Sequence, residues 1–368
     1  MKQLLSEITS AGQLRLTIAN VPEPELGPHE VLIRVEATPI NPSDLGLLLG
    51  PVDVTTLRRE GDVTVGDIPA PHLAGMAARL DEAMAVGNEG GGVVVGAGSS
   101  PAAQALIGRV VGAVGGSMYG EFRAVPAQSC LVMPEGVTSA QAASPFVNPL
   151  TALAMVENMR LDGHTALVHT AAASNLGQML VKICLADGVG LVNIVRRPEH
   201  VALLRSLGAE YVCDSSSDTF DDDLVAALTA TGATLAFDAT GGGVLAARII
   251  AAMERSANAG AAYNRYGSSV HKQVYIYGRL DTRPLEISLG ATGFAWGVAG
   301  WLLTPFIGRI GPERFDGMKA RVVSEITTTF SSHYSATISL DQACDPDTIR
   351  AYAAKETGTK YLITPHAS

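Results

Sequence analysis

The stretch Thr170-Ala171-Ala172-Ala173-Ser174-Asn175-Leu176-Gly177 carries the first residues whose types and spacing suggest chemistry. An apolar run of strand length, 165–170, precedes it, and a segment of helical spacing, 176–186, follows. A turn of this kind opens a helix whose first amides have no partner within it, and such an N-terminus attracts the pyrophosphate of a dinucleotide. Against the Gly-x-Gly-x-x-Gly fingerprint the three positions are Ala172, Ser174 and Gly177. Only the last glycine is kept, so the reading rests on the strand before, the helix after and the small side chains between.

The next apolar run, 191–195, ends at Arg196-Arg197-Pro198. NAD-binding chains usually place a carboxylate here to accept from the ribose hydroxyls, and a carboxylate would repel a 2′-phosphate. A guanidinium instead pairs with that phosphate through two hydrogen bonds, which favours NADPH over NADH. The alternative is that both arginines only finish a surface strand. Asp238-Ala239-Thr240-Gly241-Gly242 closes a later strand at the carboxyl edge where ligands bind, with Asp238 either facing the cofactor or capping the following helix.

Other chemistries find little support. His29-Glu30 is followed by Ile33 where a zinc protease needs its second histidine, and no Gly-x-Ser-x-Gly elbow occurs. His169 reads as a buried, hydrogen-bonded strand residue, and His271 and His333 have no carboxylate or cysteine at ligand spacing. Asp221, Asp222 and Asp223 precede a helical segment, where carboxylates favour the positive end of its dipole. Cys130, Cys184, Cys213 and Cys344 are too scattered for a metal knuckle or redox pair, which suits a reducing compartment. With 26 Lys and Arg against 36 Asp and Glu and no basic run, nucleic acid is excluded as a partner. The first residues form neither a signal nor a transit segment, so a cytoplasmic location is expected. Residues 287–308 are uncharged and long enough to span hydrocarbon. However, Gly290, Gly293, Gly297, Gly300, Thr304 and Pro305 point to a buried loop and short helix, with no membrane as partner.

The elements that must position these residues follow from the 368-residue length, which allows two to three domains. Up to 146 the chain is β-rich, with runs at 14–18, 30–37, 92–95, 109–114 and 121–125. The mixed-charge stretch 50–87 reads as a loop insertion with a short helix at 72–84. From Pro149 strands and helices alternate, with strands at 165–170, 191–195, 210–213, 234–238 and 274–277, the pattern of a doubly wound parallel sheet. A long helix is expected at 312–330, and the β-like runs 334–340 and 360–364 then return to the style of the opening region. The expected organisation is a split domain, 1–146 with 320–368, around a cofactor-binding domain, 147–319.

Together these segments resemble the medium-chain dehydrogenase/reductase superfamily over nearly the whole chain. The landmarks are Gly27-Pro28-His29-Glu30-Val31, Asn41-Pro42-Ser43-Asp44, Gly87-Asn88-Glu89-Gly90, Asn148-Pro149-Leu150-Thr151-Ala152 and Leu207-Gly208-Ala209. The superfamily's zinc alcohol dehydrogenases use a cysteine near Asn41 and a histidine at the position of Asn88, and neither is present, so the resemblance implies a zinc-independent reductase. It is similar to the quinone oxidoreductases and the 2-enoyl thioester reductases. The implied α/β fold is a Rossmann doubly wound parallel sheet plus a GroES-like β-barrel-type catalytic domain, assembled as a homodimer.

The resemblance also implies roles. Asn148 and Thr151 would face the nicotinamide; Ala173, Ser174, Asn175 and Leu176 would cradle the pyrophosphate; Arg196 and Arg197 would hold the 2′-phosphate, with Asp238 nearby. Tyr277 and Gly278 resemble a Tyr-Gly-Gly-Met loop, Phe294 and Trp296 a Gly-Phe-Trp-Leu segment, and Lys360 a cofactor-side lysine. Asn41 and Asp44 would form the first-domain wall of the active site. The implied activity is NADPH-dependent hydride transfer to a small-molecule electron acceptor, a quinone or an α,β-unsaturated carbonyl compound. A 2-enoyl thioester reductase and a non-catalytic NADPH-binding protein are the alternatives. The chain departs from the enoyl thioester reductases in one respect: residues 45–90 contain no tyrosine where those enzymes carry one that assists protonation. Tyr119 is a candidate replacement donor, with a packing role or a proton from water as the other options.

Overall fold

Val31, Ile33, Val35 and Ala37 alternate along the strand Glu30–Pro39 and all are buried, the period of two that a pleated strand with a core face requires. In the computed structural model, which describes residues 1–367, this strand is the hub of a unit formed by Met1–Val147 and Lys319–Ser368. One edge pairs antiparallel with Glu89–Ala97; Phe122–Pro126 and then Tyr361–Ile363 also pair with it, Ile363 opposite Thr38. Register shifts at Leu32/Ile33 and Val35/Ala37 bend the strand, as bulges do, and help curl its sheet. The chain leaves the sheet at Ile40, whose amide bonds the carbonyl of Tyr361, and so delivers Asn41 and Asp44 to a fixed place.

A second, antiparallel sheet in this unit runs in the order Arg58–Glu60, Val63–Asp67, Gln13–Asn20, Lys2–Ile8, Met84–Ala85. Segment 50–87 is therefore woven into a sheet and is not a loop excursion. Its helical part is one turn, Ala70–Leu73, continued as the tighter 3₁₀ turn Ala74–Arg79, shorter than the 72–84 expected. Leu57 and Ile68 join Leu4, Leu14, Leu48 and Tyr352 in one apolar core. The Arg350 guanidinium, on helix Pro346–Ala353, fastens the segment by donating to the carbonyls of Val54 (3.1 Å) and Leu57 (2.6 Å).

The unit Asn148–Met318 holds a six-stranded parallel sheet ordered Tyr211–Asp214, Gly190–Val195, Ala166–His169, Leu235–Asp238, Lys272–Ile276, Trp296–Gly300. Numbered along the chain the order is 3-2-1-4-5-6, the dinucleotide-binding arrangement. Crossover helices Asn175–Asp187, Pro198–Ser206, Phe220–Thr231 and Leu245–Ala257 follow strands one to four. Two of them end on a left-handed glycine, Gly188 and Gly232, as helix C-termini commonly do.

Three elements depart from the sequence reading. The sixth strand, Trp296–Gly300, was expected as loop, because Trp-Gly-Val-Ala-Gly has too few β-branched residues to announce a strand. Helix Val147–Leu161 buries nearly every residue and so lacks the polar stripe that marks a surface helix. The helix expected over 312–330 stops at Ser324, ahead of Thr327, Thr328 and Thr329, which are poor helix formers. Among the described residues no helix is long and apolar enough to cross a membrane.

Candidate active site

At the end of strand Ala166–His169 the chain turns through Ala171, held at φ +49°, and enters helix Asn175–Asp187. Ser174 caps the helix, its Oγ accepting from the Gly177 amide at 3.2 Å. A Cβ on Gly177 would lie 2.1 Å from the Ala172 carbonyl oxygen, so only glycine lets helix and turn approach this closely. The amides of Ala173 and Leu176 make no hydrogen bond to protein among the described residues. They are donors at a helix N-terminus, the arrangement that receives an anion.

Arg196 and Arg197 stand exposed just past the end of strand Gly190–Val195. Arg197 lies 3.8 Å from Glu199, a loose exposed pair that leaves its guanidinium largely uncommitted. Asp238, ending the fourth strand, is fully buried. One oxygen accepts from Thr170 Oγ1 (2.6 Å) and the Thr240 amide (2.8 Å), the other from the Gly241 amide (3.1 Å). Its carboxylate therefore ties the ends of strands one and four together and offers no free oxygen outward. It does not cap the next helix either, which starts seven residues on at Leu245 with Val244 before it.

Tyr277 and Gly278 follow the fifth strand at the same edge. The Tyr277 hydroxyl meets His169 Nε2 at 2.7 Å and the two rings stack. Burial pushes the His169 imidazole down to about 3, so it stays neutral, and its Nδ1 is buried without a partner. Burial raises the Tyr277 hydroxyl in turn. A groove of about 770 Å³ opens beside them, bordered by Tyr277, Gly278, Trp301, Leu302, Phe306 and Arg309.

Phe294 and Trp296 do not reach this edge. They lie at the start of the sixth strand, where Trp296 pairs opposite Lys272, the first residue of the fifth, while the carboxyl ends are at Ile276 and Gly300. Phe294 is 76% exposed and packs on Tyr266. The residues that the sheet brings beside Tyr277 are Gly300-Trp301-Leu302, with Trp301 Nε1 donating to Asn158 at 2.8 Å. A similar glycine-aromatic pair seven residues earlier drew the sequence reading to the wrong end of the strand. Asn148 and Thr151 are buried in the first turns of helix Val147–Leu161.

In the other unit Asn41, Asp44 and Glu89 form a buried polar cluster. Asp44 accepts from the amides of Asn41 and Asn88, both at 2.8 Å, and Asn41 Nδ2 donates to Glu89 at 2.9 Å. Glu89 also accepts from the amides of Phe146 (2.8 Å) and Val147 (3.0 Å), where a helix begins. Burial pushes the Asp44 carboxyl up to about 7, against its two amide bonds. Burial also raises Glu89, against the positive charge of Lys360. Lys360, lowered to about 8 by burial and opposed by the charges of Glu89 and Asp44, donates to Ser144 Oγ at 2.9 Å. The sequence reading had marked Lys360 but had not singled out Glu89, whose charge faces it. The short Gly-Asn-Glu-Gly motif was the available signal for Glu89.

Of the options for Tyr119, the packing role has the geometry on its side, although the hydroxyl also faces the Asp44 carboxyl. Tyr119 is fully buried, its hydroxyl donates to the Pro39 carbonyl at 3.1 Å, and a Cβ on Gly87 would lie 2.4 Å from its ring. At the position of Asn88 the side-chain amide bonds Ser43 Oγ at 3.1 Å. No group of three or more His, Cys, Asp or Glu able to hold a metal ion occurs among the described residues.

No family model matches the sequence. Over 189 residues the chain is 31% identical to the mitochondrial enoyl-[acyl-carrier-protein] reductase of Mus musculus, a match taking in 50% of this chain and 44% of that one. The chain thus spans about half the length of the curated relatives it matches. Among solved structures, a protein from Mesorhizobium loti assigned as an NADPH:quinone reductase aligns over 99% of this chain and 98% of its own, with 25% identity and a TM-score of 0.72. A mycobacterial protein solved with NADPH aligns over 99% of this chain and 100% of its own, with 20% identity and a TM-score of 0.70, a likeness of fold.

Proposed function

We propose that the chain belongs to the medium-chain dehydrogenase/reductase superfamily and that within it the protein is a zinc-independent, NADPH-dependent oxidoreductase acting on a quinone or an α,β-unsaturated carbonyl compound. The observation that carries the reading is the pair of exposed arginines at the end of the second strand, where no carboxylate stands. The turn before helix Asn175–Asp187 fits a pyrophosphate: Gly177 allows the close approach and the amides of Ala173 and Leu176 have spare donors. Arg196 and Arg197 would pair with the 2′-phosphate, and Asp238 would keep the loop over strand four in place. When bound, the nicotinamide supplies a hydride to the electron-poor carbon of the acceptor. Asn41 and Asp44 form a rigid polar wall, and Asn88 offers neither imidazole nor thiolate to a metal. Strand Trp296–Gly300 ends its sheet among the described residues, which supports a homodimer through that edge, and the scattered cysteines suit a cytoplasmic location.

Replacing Arg196 and Arg197 together by Ala is expected to weaken NADPH roughly 10- to 100-fold, the loss of one or two charge-assisted contacts, while NADH changes little. Calorimetric titration with both cofactors reads this, and an unchanged NADPH-to-NADH affinity ratio would overturn the cofactor assignment. NADPH oxidation with 1,4-benzoquinone, 9,10-phenanthrenequinone and crotonyl thioesters tests turnover. Tight NADPH binding with no consumption on any acceptor would leave a non-catalytic NADPH-binding protein.

A further inference from the structure

In the parallel-sheet unit the loop after the fifth strand lies on the loop after the fourth. The amides of Leu280 and Asp281 donate to the carbonyls of Ala239 (3.1 Å) and Thr240 (2.9 Å), and Gly243 exchanges backbone bonds with Pro284 (3.0 Å) and Glu286 (2.9 Å). Strands two and four flank strand one, so this double layer stands one strand away from the end that carries Arg196. On it the Arg283 side chain grips the Asp281 carboxylate as a fork. Nε donates to both oxygens at 3.0 Å, Nη2 to Oδ2 at 2.6 Å, and the Arg283 amide to Oδ1 at 3.0 Å. Gly243 makes room for the pair: a Cβ there would lie 2.9 Å from Arg283 Nη2 and 3.2 Å from Asp281 Oδ2. The fork and the Arg283 amide hold the Asp281 carboxyl down to about 2, and the charge of Arg196 also lowers it, which places Asp281 within the field of Arg196. Arg283 is 75% exposed, and a pair so open to water adds little to stability. Its effect on charge is larger. A bare carboxylate beside Arg196 would do what the acidic residue of NAD-binding chains does, repelling a 2′-phosphate and competing with it for the guanidinium. With Arg283 in place both oxygens are occupied and the pair is neutral.

We propose that Arg283 admits a 2′-phosphate to the adenosine end of the cofactor site by masking the Asp281 carboxylate, and that without Arg283 this carboxylate turns the site toward NADH. This rests on the reading of Arg196 and Arg197 as the 2′-phosphate pair and adds a second determinant of cofactor choice, carried by the loop after the fifth strand. Arg283 acts through Asp281 and is a positioning residue: its donors are spent on the carboxylate, so Arg196 and Arg197 remain the groups that meet the phosphate. Once unmasked, Asp281 has two acceptor oxygens for ribose hydroxyls and a full negative charge facing Arg196. The choice between the two cofactors thus depends on the balance of two guanidinium groups and one carboxylate around one position.

The test is calorimetric titration of the wild type, Arg283→Ala and the double variant Arg283→Ala/Asp281→Asn. The quantity read is the preference for a 2′-phosphate, taken both as 2′,5′-ADP against 5′-AMP and as NADPH against NADH. In the wild type this preference should be at least about tenfold, the effect of one charge-assisted contact. Arg283→Ala is expected to cut it about tenfold, as one uncompensated carboxylate beside a dianion would. Adding Asp281→Asn should return it to within about threefold of the wild type, a recovery that a merely structural role for Arg283 would not give. A preference unchanged by Arg283→Ala, or lost equally in the single and double variants, would overturn the proposal and leave the reading of Arg196 and Arg197 standing. A wild type that binds the nucleotides of each pair equally would overturn that reading and the proposal with it.

Discussion

Ionising Asp44 must cost the folded protein free energy, because the group is 2% exposed and burial pushes its carboxyl up to about 7 from the ordinary value near 4. Between those two values the unfolded chain has lost the proton and the folded chain still holds it. The native state then binds more protons, and stability falls as pH rises through the window. The shift of about three pH units corresponds to roughly 4 kcal/mol, accumulated between about pH 4 and pH 7 and constant above. Asp44→Asn removes the titration while keeping one oxygen to accept from the amide of Asn41 or Asn88. Its loss of the second acceptor costs about 1–3 kcal/mol at every pH and so does not affect the slope. Urea unfolding of both proteins at pH 5, 6, 7 and 8 is the assay. The stability of the wild type minus that of the variant should fall by about 2–4 kcal/mol across the series. Parallel curves, with a difference constant to within about 1 kcal/mol, would show that Asp44 ionises without penalty and would refute the argument from burial.

Other perturbations follow from particular contacts. Gly177→Ala puts a Cβ 2.1 Å from the Ala172 carbonyl oxygen and should weaken NADPH at least tenfold, as read by calorimetry; unaltered affinity would show that the turn does not hold the pyrophosphate. Lys272→Met leaves Glu254, 5% exposed, without its buried partner and should cost about 3–5 kcal/mol in urea unfolding, most of it restored by adding Glu254→Gln. Arg350→Ala releases the carbonyls of Val54 and Leu57, so limited proteolysis should cut faster within 50–87, and an unchanged cleavage rate would show that the core alone holds that segment.

The alternation of strands and helices after Pro149, with the small-residue turn at 170–177, made the parallel sheet legible because period and punctuation are local properties. The same holds for Arg196 and Arg197, since a strand end is visible in sequence. What escaped was non-local. Glu89 matters because Asn41, Phe146 and Val147 converge on it, and no spacing along the chain shows that convergence. The sequence left Tyr119 between donor and packing residue, and only the fold brings its hydroxyl to Pro39 and its ring against Gly87. Phe294 and Trp296 were misplaced because a motif match fixes residue types but not which end of a strand they occupy. The sheet register settles that point, with Gly300 and not Trp296 opposite Ile276.

The pairing of Ile363 with Thr38 joins residues more than three hundred positions apart. During synthesis the strand Glu30–Pro39 emerges early and waits, with that stretch of its edge unpaired, while the whole parallel-sheet unit is made and can fold. An open strand edge is a template for pairing with other chains. The last pairing of that strand, at Thr38 and Pro39, can therefore close only after the second unit has been made. A substitution that weakens Tyr361–Ile363 would lower the yield of folded protein more than it lowers the stability of the molecules that do fold.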